Sequence, residues 1–242
     1  MSDACVIVPA LDAAATLGAV LDDLHMHMPA LEVVVVDDGS RDDTARIARE
    51  HGATVIAHPT NLGKGAALLA GLEEARARGK RVALTVDADG QHPAAEAKAL
   101  LEVDAPERAL VLGVRDLDRD GAPRANRVSN GISNFFLSRF AQRTLHDTQC
   151  GLRRYPVAET LALGARGRGY DFEAEVLLRA LWSGMTVVER PVRVLYPDDR
   201  ITHFHVARDP WRIIRTVVAA LGDHWLRAPH DHASSGHDAS GA

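Results

Sequence analysis

Two aspartates separated by one residue, Asp87 and Asp89, follow the apolar run Val82–Val86. Residues i and i+2 of an extended chain share a face, so both carboxylates can approach one cation. Hard oxygen ligands suit Mg²⁺ or Mn²⁺, and Gln91 can add another oxygen. Such a metal bridges nucleotide phosphates and neutralises a leaving diphosphate. The alternative is that both carboxylates only cap the turn before a helix at Pro93, but the preceding strand favours a metal site.

A second acidic turn, Asp-Asp-Gly-Ser at residues 37–40, follows the apolar run Val33–Val36. One of its carboxylates can accept a hydrogen bond from a ribose hydroxyl or a base N–H, and the other can orient loop amides. The same residue types are preferred in any strand-to-helix turn. The sequence leaves both interpretations open.

A glycine-containing loop, Asn-Leu-Gly-Lys-Gly, occupies residues 61–65. It lacks the GxxxxGK[ST] spacing of a phosphate-binding loop, and Leu68 stands where the dinucleotide fingerprint has its third glycine. Lys64 can still help to hold the phosphates of a nucleotide. A flexible turn before a helix explains the same residues equally well.

The segments that carry these motifs alternate between two types. Short apolar runs predict strands, and the segments between them have helical spacing. The predicted strands are Cys5–Val8, Val33–Val36, Thr54–Ala57, Val82–Val86 and Leu110–Gly113, and the predicted helices cover about residues 13–27, 42–51, 66–78 and 93–103. This alternation favours an α/β fold with a mostly parallel sheet, in which ligands bind beyond the carboxyl ends of the strands. Pro9 and both acidic turns fall at those ends.

The second half of the chain is less regular. Its predicted elements are a charged loop (114–123), helices at 124–142 and 171–182, a strand at Thr186–Leu195, a polar loop (196–209) and an amphipathic helix at Trp211–Leu226. Pro191 indicates that the strand is antiparallel or peripheral. From about residue 228 the composition predicts a disordered tail.

Length and charge exclude several classes of protein. The 242 residues fit one ordinary domain, and the net charge of −5 provides no global basic field for binding nucleic acid. Cys5 and Cys150 form neither a disulfide framework nor a metal pair, which favours a reducing cytosol. No run of ~18 apolar residues predicts a membrane span, and the first residues lack the features of a signal peptide. We therefore expect a protein that is cytoplasmic or lies on a membrane surface.

Four motifs occur in a fixed order: Val-Ile-Val-Pro-Ala-Leu-Asp (6–12), Val-Val-Val-Val-Asp-Asp-Gly-Ser (33–40), Asn-Leu-Gly-Lys-Gly-Ala-Ala (61–67) and Val-Asp-Ala-Asp-Gly-Gln-His-Pro (86–93). This order resembles the family-2 glycosyltransferases, and among them the polyprenyl-phosphate mannose and glucose synthases most. Further matches are Leu-Gly-Val-Arg (112–115), Asp-Thr-Gln-Cys-Gly-Leu-Arg (147–153) and Gly-Tyr-Asp-Phe-Glu (169–173). The resemblance covers about residues 4–205.

The resemblance implies a glycosyltransferase A-type fold, an α/β nucleotide-binding sheet with an acceptor region. We expect one domain over residues 1–227, with a nucleotide-sugar half (4–113) and an acceptor half (114–227), followed by the tail at 228–242. The expected metal ligands are Asp87, Asp89 and Gln91. The candidate nucleotide-sugar residues are Pro9, Leu11, Asp38, Lys64, Asp87, Ala88 and Arg115. Family members often carry an aromatic and an acidic residue where this chain has Leu11 and Ala13, so the sequence does not identify the base of the donor.

The reaction implied by the resemblance is inverting transfer from a nucleotide-diphosphate sugar. Stabilisation of the leaving diphosphate is expected to be the largest catalytic effect, which makes Asp89 a catalytic candidate. Asp147 stands where the family has an acidic residue on the acceptor side, and it can act as a base or orient arginines. Capping a helix or pairing with Arg153 are the alternatives. A hydroxyl acceptor needs a base, whereas a lipid phosphate is already anionic.

Cations in the second half can hold a lipid phosphate or diphosphate. The candidates for this contact are Arg127, Arg200, His203 and His205. Phe135, Phe136 and Phe140 lie beside arginines, as in a helix at a membrane interface. The alternative is that these phenylalanines pack against the sheet. The expected partners are a nucleotide-diphosphate sugar and a lipid-linked acceptor at the inner face of a membrane, with oligomerisation left open.

Three other functions compete with transfer to a polyprenyl phosphate. The same fold can transfer sugar to a hydroxyl acceptor such as a lipid or pigment. Val-Asp-Ala-Asp-Gly also matches the signature of haloacid dehalogenase-type phosphatases, but that motif normally opens the fold on its first strand. A non-catalytic nucleotide-sugar sensor or scaffold is the third, and it would not need paired metal-binding carboxylates.

Overall fold

The computed structural model describes residues 3–196, within which the chain forms seven strands and seven helices. The strands are β1 (Ala4–Ala10), β2 (Glu32–Asp37), β3 (Thr54–Ala57), β4 (Val82–Thr85), β5 (Leu110–Arg115), β6 (Arg153–Pro156) and β7 (Val187–Val192). The helices are α1 (Leu17–His27), α2 (Thr44–Glu50), α3 (Lys64–Ala77), α4 (Ala94–Leu101), α5 (Arg124–Ala141), α6 (Val157–Ala162) and α7 (Asp171–Trp182). None of these helices is long and apolar enough to cross a bilayer. The predicted helix at Trp211–Leu226 and the predicted tail lie outside the described residues.

All seven strands belong to one mixed sheet in the order β3-β2-β1-β4-β6-β5-β7. β1, β2, β3 and β4 pair in parallel, as the alternation of strands and helices predicts. β6 is antiparallel to both of its neighbours, so β5 again runs parallel to β4. The carboxyl ends of β1, β2, β4 and β5 therefore meet at one edge of the sheet.

The valines of β2 show why its sequence is apolar without interruption. Val34 and Val36 are buried in a core layer with residues of α3 and α7. Val33 and Val35 are buried on the opposite face in a layer with residues of α1 and α4. Successive side chains of a strand point to opposite faces, so a strand covered on both sides is apolar at every position. The two layers fix the sheet between helices.

The last strand differs in part from the prediction. β7 lies at the edge of the sheet, in agreement with the peripheral position predicted for it, but it pairs in parallel with β5, so an antiparallel arrangement is wrong. Pro191 is tolerated because an edge strand has only one neighbour to bond. β6 and α6 are absent from the prediction altogether.

The first strand and helix also have shifted ends. β1 continues through Pro9 to Ala10 because its pairing with β2 extends that far. The proline, which has no N–H to donate, is tolerated since the pairing of β1 with β4 ends earlier, at Ile7. α1 begins at Leu17 rather than at residue 13. Residues 11–16 form a loop instead, and that loop borders the candidate site.

Candidate active site

The loop after β1 is tied to both acidic turns. The backbone N–H of Asp12 donates to Ser40 Oγ at 2.9 Å, and Asp12 Oδ1 accepts from the Arg41 N–H at 2.8 Å. The Thr16 hydroxyl donates to the carbonyl of Ala88 at 2.6 Å. These bonds bring the ends of β1, β2 and β4 together. Pro9 and Ala88 are buried there and Leu11 is half-buried, so these three candidates for donor binding lie at this edge.

The Asp38 carboxylate is bonded within the protein on both oxygens. Oδ1 accepts from the Leu62 N–H at 3.0 Å and lies 2.7 Å from His58 Nδ1, and Oδ2 accepts from the Gly63 N–H at 2.7 Å. Of the two roles that the sequence leaves open for this turn, Asp38 therefore has the second: it orients the backbone amides of Leu62 and Gly63. Its role toward a nucleotide sugar stays a prediction.

The loop that Asp38 holds starts α3 and carries Lys64. Lys64 Nζ lies 2.7 Å from Asp87 Oδ1 and 3.3 Å from Glu173 Oε2. The ammonium also lies 5.6 Å from the centre of the Tyr170 ring. Burial alone disfavours the charged amine, but the carboxylates of Asp87 and Glu173 outweigh it and raise the pKa of Lys64. The side chain is therefore a fixed cation beside the paired aspartates.

Asp87 and Asp89 follow β4, the central strand of the sheet. A Cβ at Gly151 would lie 2.3 Å from Asp87 Oδ2, so only glycine lets the loop before β6 approach this carboxylate. Burial opposes ionisation of Asp87, but the Lys64 ammonium outweighs it and lowers the pKa of Asp87. Asp89 is half-buried, and its burial together with the negative charge of Asp87 raises the pKa of Asp89 to about 6. Two neighbouring carboxylates thus have opposite shifts.

A divalent cation fits this turn if the protein supplies only some of its ligands and a bound substrate supplies the others. Within residues 3–196 no group of three or more His, Cys, Asp or Glu side chains is arranged to hold a metal. Mg²⁺ and Mn²⁺ commonly take one or two carboxylates and complete their shell with substrate phosphates and water. The Gln91 N–H donates to Asp89 Oδ1 at 3.0 Å, which shapes the turn and leaves Oδ2 of Asp89 for a ligand. The donor set therefore suits a metal that binds together with a diphosphate.

Arg115, at the end of β5, is held by Asp147. Its Nε and Nη2 donate to Oδ2 and Oδ1 at 2.7 and 3.0 Å, and its backbone N–H donates to Oδ2 at 3.1 Å. Asp147 is only 1% exposed. Burial disfavours the guanidinium cation, but Asp147 outweighs it and raises the pKa of Arg115. Asp147 orients an arginine, which is one of the two functional roles that the sequence leaves open for it.

Arg153 does not pair with Asp147, so that alternative is wrong. The fully buried Arg153 guanidinium donates to the backbone carbonyls of Thr148, Cys150 and Glu173 at 2.8–2.9 Å. It thereby fixes the loop that carries Asp147 and the start of α7.

Two residues of the site have no role in the sequence prediction. His92 is 6% exposed, its Nδ1 makes no hydrogen bond within the described residues, and burial lowers the pKa of His92 to about 4. The sequence feature that could have indicated His92 is its position in Gln-His-Pro, at the end of the acidic motif. Glu173 is buried beside Lys64, and its signal is its place in the Gly-Tyr-Asp-Phe-Glu motif.

Helix α5 has a polar inner face and an apolar outer row. On the inner side, Ser133 Oγ lies 2.8 Å from Thr148 Oγ1, and Asn134 Oδ1 accepts from the Thr148 N–H at 2.9 Å. The outer row consists of Val128, Ile132 and Phe135, with Phe136 at its flank.

The sequence leaves open whether the phenylalanines of α5 are exposed, as at a membrane interface, or packed against the sheet, and the structure shows both. Phe135 is 70% exposed and Phe136 38%, whereas Phe140 packs on the core. Arg127 pairs with Asp118 of the charged loop. Arg200, His203 and His205 lie outside the part of the chain that the structure describes.

Comparison with known proteins decides the family. Residues 5–158 match the family model described as Glycosyl transferase family 2. The chain belongs to this family. It is therefore a glycosyltransferase, and the resemblance to family 2 is confirmed.

Named relatives extend over most of the chain. It is 31% identical to a polyprenol monophosphomannose synthase of Mycolicibacterium smegmatis, over 77% of this chain and 75% of the relative. It is 26% identical to a UDP-N-acetylglucosamine–dolichyl-phosphate N-acetylglucosaminyltransferase of Methanococcus voltae, over 79% of this chain and 85% of the relative. The names of both relatives refer to a polyprenyl-type lipid, in agreement with the resemblance of the motifs to polyprenyl-phosphate sugar synthases.

The fold also matches solved structures. Glucosyl-3-phosphoglycerate synthase of Mycobacterium tuberculosis, crystallised with Mn²⁺, UDP and glucosyl-3-phosphoglycerate, superimposes with a TM-score of 0.72 over 90% of this chain and 80% of that chain. The two sequences are 22% identical, so this similarity concerns the fold. The predicted glycosyltransferase A-type fold is confirmed.

Proposed function

We propose that this glycosyltransferase moves a sugar, with inversion, from a nucleotide-diphosphate sugar to a polyprenyl phosphate, with the help of a divalent metal. The observation that carries the proposal is the convergence of Asp87, Asp89, Lys64 and the Arg115–Asp147 pair at the carboxyl edge of the sheet. Carboxylates for a metal and cations for phosphates are the groups that such a transfer needs. The names of the relatives support the choice of acceptor.

On the donor side, Asp87, Asp89 and Gln91 would hold Mg²⁺ or Mn²⁺. When bound, the metal supplies positive charge that stabilises the leaving diphosphate. Lys64 binds the diphosphate, and Arg115 adds a second cation whose direction is set by Asp147. Pro9, Leu11, Asp38 and Ala88 line the pocket of the nucleotide sugar.

A phosphate acceptor agrees with the contacts of Asp147. An acceptor oxygen attacks the anomeric carbon, a new C–O bond forms on the opposite face of the sugar, and the bond to the donor diphosphate breaks with both electrons going to the diphosphate. A hydroxyl acceptor must also lose a proton to a base. Both oxygens of Asp147 are engaged by Arg115, which supports a positioning role for Asp147 and an acceptor that needs no base from it.

The acceptor half carries the contact with the lipid. Arg127, Arg200, His203 and His205 are the proposed cations for the acceptor phosphate. The outer row of α5 is flanked by Arg124 and Arg139, and α5 contains no acidic residue. A basic helix with exposed apolar side chains binds at the boundary of head groups and acyl chains. We place the protein at the inner face of a membrane by this surface.

Product formation by the full-length protein tests the proposal. UDP, GDP, dTDP and CDP sugars are each supplied with a polyprenyl phosphate or the matching polyprenol, with Mn²⁺ or with EDTA, and glycosylated lipid is measured by mass spectrometry. We expect product from one class of donor, with polyprenyl phosphate and Mn²⁺ only. Equal product in EDTA would exclude the metal role, and product from polyprenol alone would exclude the phosphate acceptor.

A further inference from the structure

The Lys64 ammonium forms an ion pair with Asp87, one of the proposed metal ligands. It lies 2.7 Å from Asp87 Oδ1 and 3.3 Å from Glu173 Oε2, with both carboxylates and the lysine largely shielded from solvent. Two carboxylates, those of Asp87 and Glu173, therefore share one cation from α3, and the proposed second metal ligand, Asp89, lies two residues after Asp87. A divalent ion bound by Asp87 and Asp89 would be attracted by the same Asp87 carboxylate that now pairs with Lys64, so the two cations compete for it.

The backbone of Lys64 is fixed although its side chain is long. Gly63, the residue before it, has φ +101° and gives its N–H to Asp38, and a Cβ there would lie 2.3 Å from the Arg168 carbonyl oxygen. The Ala66 N–H donates to the same carbonyl at 3.2 Å. Exchange of the lysine between partners therefore needs only rotation about side-chain bonds, without movement of α3.

We infer that Lys64 competes with the metal for Asp87 and is drawn away by the donor diphosphate, so that metal and donor bind cooperatively. The inference rests on the proposed function. Without a diphosphate, a metal must displace the Lys64 ammonium from Asp87. The ammonium then lies close to the positively charged metal with no phosphate between them. With a diphosphate bound, the ammonium gains a new anionic partner and Asp87 becomes free for the metal. Each ligand then raises the affinity for the other by the same factor.

Manganese binding without turnover tests this role. Free Mn²⁺ is measured by electron paramagnetic resonance during titration of the full-length protein, with and without the nucleoside diphosphate, UDP or GDP, that the unaltered chain binds. We expect the unaltered chain to bind Mn²⁺ about tenfold or more weakly without nucleotide than with it. Lys64→Met should bind Mn²⁺ about tenfold more tightly than the unaltered chain without nucleotide, and should therefore gain about tenfold less affinity from adding nucleotide.

Two controls separate competition from a general change of charge. Lys64→Arg keeps a cation beside Asp87 and should keep the low affinity for Mn²⁺ alone. Lys98→Met removes a positive charge from the exposed face of α4, where Lys98 pairs with Glu102, and should leave Mn²⁺ binding unchanged. Lys64→Gln replaces Lys64→Met if the latter does not fold, with the same expected result.

The outcomes distinguish this inference from the function on which it rests. If Lys64→Met and the unaltered chain bind Mn²⁺ alone equally, or if Lys98→Met gains as much as Lys64→Met, the competition is contradicted while metal-dependent transfer stands. If the unaltered chain binds no Mn²⁺ with any nucleoside diphosphate, both the competition and the metal-dependent function are contradicted.

Discussion

On the proposed donor side of the site, Lys64 and Asp38 are already paired inside the protein, whereas on the proposed acceptor side helix α5 turns apolar side chains outward. Lys64 contacts Asp87 and Glu173 within 3.3 Å, and Asp38 is bonded on both of its oxygens. Phe135, by contrast, is 70% exposed. The difference indicates that the protein itself holds the charged groups at the carboxyl edge of the sheet in place, whereas the apolar row of α5 is exposed in the described part of the chain.

Asp89→Asn is the strongest test of the donor side. We expect turnover to fall by about 10²–10³-fold, because the leaving diphosphate loses charge stabilisation. The melting temperature without metal should be nearly unchanged, since burial and Asp87 already raise the pKa of Asp89 to about 6 and its charge does not stabilise the fold. Turnover and thermal unfolding measure the two effects.

The control for this variant is Asp104→Asn, which changes an exposed carboxylate before β5. It should leave both turnover and melting temperature unchanged. Full activity of Asp89→Asn with Mn²⁺ would remove Asp89 from the metal site and end the contrast between the two sides.

Asp147→Asn tests the link between donor and acceptor sides. The Arg115 guanidinium, whose side chain is only 12% exposed, would lose its carboxylate, which we expect to lower the free energy of unfolding by about 3–5 kcal/mol. Misplacement of the arginine should lower kcat/KM for a phosphate acceptor by about ten- to a hundredfold. Denaturant unfolding and steady-state kinetics measure these losses.

The pH profile distinguishes positioning from base catalysis by Asp147. If Asp147 only orients Arg115, the profile of kcat/KM for Asp147→Asn keeps its shape and drops by a constant factor. Loss of the acidic limb of the profile, or a much larger loss with a hydroxyl acceptor than with a phosphate acceptor, would make Asp147 a base.

Phe135→Ser tests the acceptor surface alone. Loss of one exposed aromatic side chain from the α5 row should weaken binding to anionic phosphatidylglycerol vesicles by about tenfold. Donor binding should be unchanged. Met26→Ser, at an exposed apolar residue of α1, is the matched control and should bind vesicles like the unaltered chain. Equal vesicle binding by all three proteins would show that α5 does not meet the lipid.

Removal of residues 228–242 has the smallest expected effect. The composition of this segment provides no apolar surface for a core, so we expect turnover and melting temperature to be retained. A large loss of either would show that the segment belongs to the folded domain.

The convergence of the two acidic turns at one edge of the sheet could be predicted from the sequence because its signals are local. The runs before Asp37 and Asp87 are apolar except at Thr85, as expected of strands buried on both faces, and parallel strands bring such turns to one edge. The partners of Lys64 could not be predicted, since Glu173 lies far along the chain and reaches the site only through α7.

The missed strand β6 has a physical reason. Its sequence, Arg-Arg-Tyr-Pro, has two charged residues that normally indicate a solvent-exposed segment. Arg153 is nevertheless fully buried because it donates to three backbone carbonyls, and Arg154 donates to the carbonyls of Leu101 and Val103.

The roles of Asp38 and Asp147 were open for a related reason. A carboxylate at a strand end can bind a ligand or bind its own loop, and the sequence does not distinguish the two. The structure shows both side chains bonded within the protein, which makes them supports for Lys64 and Arg115.

Calorimetric titration of the unaltered chain with UDP, GDP, dTDP and CDP sugars, each with Mn²⁺ or with EDTA, tests the central claim most directly. The account predicts that one class of donor binds, and that it binds tightly only when Mn²⁺ is present. Binding of that donor with equal affinity in EDTA, or no binding of any donor with Mn²⁺, would contradict a metal-assisted donor pocket at the carboxyl edge of the sheet.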